Sequence, residues 1–85
     1  MVGHVGDVTT EGMMIYGLVP FEINAAYSFR IALHNNIEGY GEILLDAVCR
    51  WRRNVGSMES YNAGFEFLFV NPKDAAILAL WLESL

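Results

Sequence analysis

The sequence predicts an α+β domain: a small two- to three-stranded sheet with helices packed on one face, in the order β-α-α-β-α. Three stretches carry that expectation. Residues 65–70 alternate phenylalanine with other residues, run into Asn71-Pro72-Lys73-Asp74, and continue as an apolar segment to Leu82. Residues 42–54 follow Tyr40 with Ile43, Leu44, Ala47, Val48 and Trp51 on one stripe at helical spacing. Residues 20–33 offer Pro20 and Asn24 as helix starts, then Phe21, Ala25, Phe29, Ala32 and Leu33 at spacings of three and four.

Taken in order, residues 1–12 are polar and carry Gly3, Gly6 and Gly12. Glycine is a poor helix former, so this stretch reads as a flexible arm or an edge strand outside a single domain at 13–85. Met13 and Met14 would also serve as start residues. Residues 13–19 form a short apolar run, read as a buried strand that Pro20 ends. The following helix has a rival. Tyr27, Phe29, Ile31 and Leu33 alternate with Ser28, Arg30, Ala32 and His34, which is strand period and would give the order β-β-α-β-α. Ala25-Ala26 and the Asn24 cap favour the helix.

Gly39 and Gly41 bracket Tyr40 in a turn. Over 42–54, Glu42, Asp46 and Arg50 stand at successive i, i+4 positions, acid before base, opposite the apolar stripe. Arg50, Arg52 and Arg53 lie late, where a helix dipole favours cations, and Gly56 suits a helix end. A strand reading through Leu45, Ala47, Cys49 and Trp51 would leave Leu44 and Val48 on the charged side, and is set aside. Residues 57–64 read as a loop. The strand at 65–70 is apolar on both faces, so it is expected to be central. Asn71 caps the last helix, with Pro72 first and Asp74 third.

Composition points to self-association. Hydrophobic residues make up 54% of the 85 positions and charged residues only 18%, against about 25% in ordinary domains. A small domain has more surface per residue to cover, so the apolar excess calls for a second chain. Two or three strands also make a poor sheet alone, which a second copy would complete. The last strand and helix supply the expected contact: Phe65, Phe67, Leu78, Trp81 and Leu82. The net charge of −5 argues against a broad nucleic-acid footprint. One cysteine permits no intrachain disulfide and fits a reducing cytoplasm. The longest apolar run, 75–82, is far below the ~20 residues of a membrane helix. No basic-then-apolar N-terminus suggests a signal peptide.

Chemistry-bearing residues are few. His4 and His34 have no metal-ligand spacing, and no metal or cofactor is expected. Cys49 would need a neighbouring base to act as a nucleophile, and packing is the simpler role for a lone cysteine. Glu42 and Asp46 resemble a solvated, arginine-paired helix face. Glu66 stands among apolar neighbours, where burial would raise its pKa, although an exposed sheet face is the plainer setting. The only basic cluster is Arg50-Trp51-Arg52-Arg53. Arginine beside an aromatic can hold phosphate and stack on a base, and Lys73 could add to it.

The closing pattern Phe-x-Phe-x-Phe-x-Asn-Pro-x-Asp-Ala, followed by Leu80-Trp81-Leu82, resembles the tails of small tailed-bacteriophage proteins of no settled activity. The resemblance covers about a quarter of the chain and implies a phage or environmental origin. It brings no catalytic residues. The expected function is a non-enzymatic interaction protein that self-associates and binds a protein partner. One alternative is a nucleic-acid-associated module using Arg50, Arg52, Arg53 and Lys73. The other is a small enzyme built around Glu66 or Cys49 at a subunit interface.

Overall fold

Period two, not 3.6, governs most of this chain. The computed structural model describes residues 3–56 and 59–85, and among them it contains five strands and one helix. The strands are β1 (Gly3–Val8), β2 (Gly12–Gly17), β3 (Ala26–Ile37), β4 (Tyr40–Val55) and β5 (Ser60–Phe69); α1 spans Pro72–Glu83. All strand pairs are antiparallel, in the order β1-β2-β5-β4-β3. The sheet curls towards a barrel, and α1 packs against β4 and β3.

This architecture corrects the α+β expectation in both of its orders. The helices expected at 20–34 and 42–54 are largely β3 and β4. Within β3 the strand alternation of Tyr27, Phe29, Ile31 and Leu33 is the one realised, and all four pack inside. In β4, Ile43, Leu45, Ala47 and Cys49 are buried on the inner face. Leu44 and Val48 do lie on the opposite face, the arrangement that had counted against a strand. That outer face is partly apolar, so two strand faces together imitate one helical stripe. Pairing on both sides, to β3 and to β5, then decides the conformation over local propensity.

The connections follow local chemistry. The β1–β2 turn is closed by Thr9, whose N–H donates to the Gly12 carbonyl at 2.9 Å and whose Oγ1 accepts from the Glu11 and Gly12 amides. β3 and β4 join through Glu38 and Gly39, both at positive φ (51° and 82°), a two-residue type I′ turn whose twist suits a hairpin. The segment 18–25 crosses from β2 to the far edge of the sheet. It is held by the Arg52 guanidinium, which donates to the Phe21 carbonyl at 2.9 Å, and by the Tyr27 hydroxyl, which accepts from the Glu22 amide. It enters β3 through a bulge at Asn24 (φ 70°): the Asn24 amide donates to the Cys49 carbonyl, and the Cys49 amide donates to the Ala25 carbonyl.

Phe21, carried by that crossover, meets Tyr27, Phe29 and Phe65 edge to face, with ring centroids 5.0, 5.8 and 5.0 Å away. Ile77 and Leu78 of α1 are buried in the same core. The helix begins as its sequence requires. Asn71 Oδ1 accepts from the Asp74 amide at 2.9 Å, and Asn71 Nδ2 donates to the Asp74 carboxylate at 2.6 Å.

Two irregularities shape the centre of the sheet. Cys49 opposes Phe65 and Trp51 opposes Gly64, so Arg50 is an additional residue in β4. Asp46 opposes Phe69 and Ala47 opposes Phe67, so Leu68 is an additional residue in β5. Each bulge leaves two neighbouring side chains outside the barrel.

Candidate functional site

The basic cluster does not form one surface. Arg50 lies on the outer face beside Glu66, with Nη2 2.7 Å from its carboxylate. Arg52 holds the crossover and sits over the Tyr61 ring. Arg53 sits over the Trp51 ring, with 5.9 Å between the guanidinium carbon and the ring centroid. Lys73 lies over the Tyr40 ring, at the other end of β4. Ten residues of strand, roughly 33 Å of rise, separate Tyr40 from Arg50. The arginines end a strand, not a helix, so the dipole argument made for them does not apply.

Neither residue considered for an enzyme has the environment of an activated group. Cys49 is fully buried, and burial raises its thiol pKa, outweighing the lowering by the Trp51 backbone and by the charge of Arg52. A raised pKa is the opposite of what a nucleophilic thiolate needs. Glu66 faces solvent on the outer side, where Arg50 Nε also donates to its carboxylate at 2.8 Å. Among the described residues no group of three or more His, Cys, Asp or Glu side chains could hold a metal ion. His4 and His34 lie on the two opposite edge strands.

The residues expected at a subunit contact sit mostly inside one chain. Phe65 (5% exposed) and Leu78 (3%) belong to the core, and Phe67, Trp81 and Leu82 pack partly buried against it. Large apolar side chains are exposed elsewhere. On the outer face Leu44 (46% exposed) lies one strand step from Asp46, which pairs with Phe69 (61%), and the bulged Leu68 (55%) adjoins it. Asp46, within this patch, accepts a hydrogen bond from the Ser28 hydroxyl at 2.7 Å, and Arg30, paired with Glu42 at 3.2 Å, stands opposite Leu44 on β3. Phe67-Leu68-Phe69-Val70 carried the signal, an apolar run on both strand faces, but it had been read as a sign of central burial.

A second feature lies between the two edges of the curled sheet. β1 and β3 flank an apolar cleft of about 500 Å3, with Met13, Ile15 and Trp81 at its base. Residues 3–5 of β1 and 29–34 of β3 line it consecutively. Successive side chains of a strand point to opposite faces, so an unbroken run along a wall means that the strand's backbone edge forms the wall.

No family model, curated protein or solved structure matches this chain. The geometry alone therefore offers two places where the molecule can meet another: an exposed apolar outer patch and an open seam in the barrel. No helix among the described residues is long and apolar enough to cross a membrane.

Proposed function

We propose that this protein is a small non-enzymatic interaction module that self-associates and binds a protein partner. The observation that carries the reading is the outer patch of Leu44, Leu68 and Phe69, three large apolar side chains exposed together on a rigid sheet. Such a patch gains from burial at about 25 cal/mol per Å2, and the charges that border it, Asp46 and Arg30, are already engaged with Ser28 and Glu42. A second copy of the same surface is the simplest match, since a two-fold axis sets the patch against itself. The excess of apolar residues over charged ones supports the same reading. We place the module in the cytoplasm, where its single cysteine stays reduced.

Light scattering at high concentration provides the test. The expected mass exceeds that of one 9.5 kDa chain. The double substitution Leu44→Glu, Leu68→Glu should return it to one chain while leaving the melting temperature within about 2–3 °C, because both side chains are already exposed. A wild-type protein that stays monomeric throughout would overturn the reading.

A further inference from the structure

We propose that the seam between β1 and β3 receives a short extended segment of a partner protein, apolar–acidic–apolar in sequence, which adds as a strand to the β3 edge. The inference rests on the partner-binding half of the function proposed above and is independent of the outer patch.

The β3 edge is equipped for it. Hydrogen bonding along an antiparallel strand alternates between its two sides. The Cys49–Ala25 bond fixes the phase, so Tyr27, Phe29 and Ile31 bond to β4. The backbone N–H and C=O groups of Ser28, Arg30 and Ala32 then point to the free edge. From Ala26 to Ala32 this edge has no proline, no lysine and no bulge, devices that blunt an exposed edge. β1 is short, rich in glycine and bulged after Val5, so it forms a wall more than a template.

The size of the seam matches a short segment. Strand spacing, sheet thickness and rise per residue give an added strand roughly 160 Å3 per residue. A cleft of about 500 Å3 therefore holds roughly three residues. Two of their side chains would enter the base formed by Met13, Ile15 and Trp81, and the middle one would face out.

Charge selects the middle residue. None of the chain's ten acidic residues lines the cleft, although the net charge is −5, while His4, Arg30 and His34 all do. Arg30 is shared with Glu42 at 3.2 Å, an exposed pair that contributes little and leaves the guanidinium free to reorient. A second copy of β3 would bring its own Arg30 to this rim, and like charges across strands are destabilising. An acidic residue of a different protein fits better.

Two acetylated, amidated heptapeptides test this, identical except for a Val-Glu-Val or a Val-Lys-Val centre. Amide chemical shifts of the wild-type chain, recorded during titration, report the site. The glutamate peptide should bind saturably, shift the Ser28, Arg30 and Ala32 amides, and bind about fivefold or more tightly than the lysine peptide. Ala32→Pro removes one edge donor and should weaken binding roughly two- to tenfold, with its melting temperature recorded to exclude unfolding. Paired His4→Glu and His34→Glu substitutions leave the backbone intact and should reverse the peptide preference. The proposal is overturned if neither peptide shifts the edge amides, if both bind equally, or if shifts fall only on the outer face. Light scattering on the same samples reads self-association separately, so failure of one reading does not touch the other.

Discussion

The two faces of the sheet are built from similar residues and do different work. Inside, Phe21, Tyr27, Phe29 and Phe65 interlock with α1, and each ring is fixed by several neighbours. Outside, the indole of Trp51 lies across Gly64, Arg53 sits over the indole, and Leu44, Leu68 and Phe69 stand open. Packing density, not side-chain type, separates the core from the exposed apolar surface here.

Substitutions that break this contrast should differ in size. Phe65→Ala removes a ring shared by three other aromatics and should cost about 3–5 kcal/mol by denaturant titration, enough to unfold a domain this small. A loss under about 1 kcal/mol would deny the inner cluster its role. Gly64→Ala should cost about 1–3 kcal/mol, because the new Cβ would lie on the Trp51 indole nitrogen and push the ring off the strand. A loss of near-ultraviolet dichroism from the displaced indole should accompany it, and an unchanged spectrum with full stability would count against the stacking. Arg50→Ala should cost only about 0–1 kcal/mol, since its pair with Glu66 is half exposed, and raised salt should narrow the difference from wild type.

The same contrast explains which parts of the fold were legible. The last helix was readable because its signals are local: Asn71, Pro72 and Asp74 form a cap whatever surrounds them; of β5 only the second half was, since residues 60–64, expected as loop, are its first half. β3 and β4 were not, because a strand is defined by its neighbours and the outer face of β4 hides the alternation with Leu44 and Val48. Period 3.6 fitted residues 42–54 only by merging the two faces. With β3 and β4 as strands the sheet has five members from one chain, so the argument that a sheet of two or three strands needs a second copy falls away. Of the candidate site, the edge character of β3 lay in the alternation from Tyr27 to Leu33. The cleft did not, since it depends on how far the sheet curls and brings together residues from both ends of the strand order. The arginines were visible as a cluster in sequence, but the bulge at Arg50 turns them towards different tasks.

The strand order has a consequence in time as well as in space. β3, β4 and β5 follow one another as neighbouring hairpins, so their pairings close short loops. β2 finds its place only beside β5, where Gly12 meets Glu66 across fifty-four residues of chain. The β1–β2 hairpin precedes β5 in the chain and can dock only after β5 is made. Until β5 is made, Met13 and Ile15 have no sheet to cover them. The loop-closure entropy of that single joint falls late in folding, when the remaining strands are already in register.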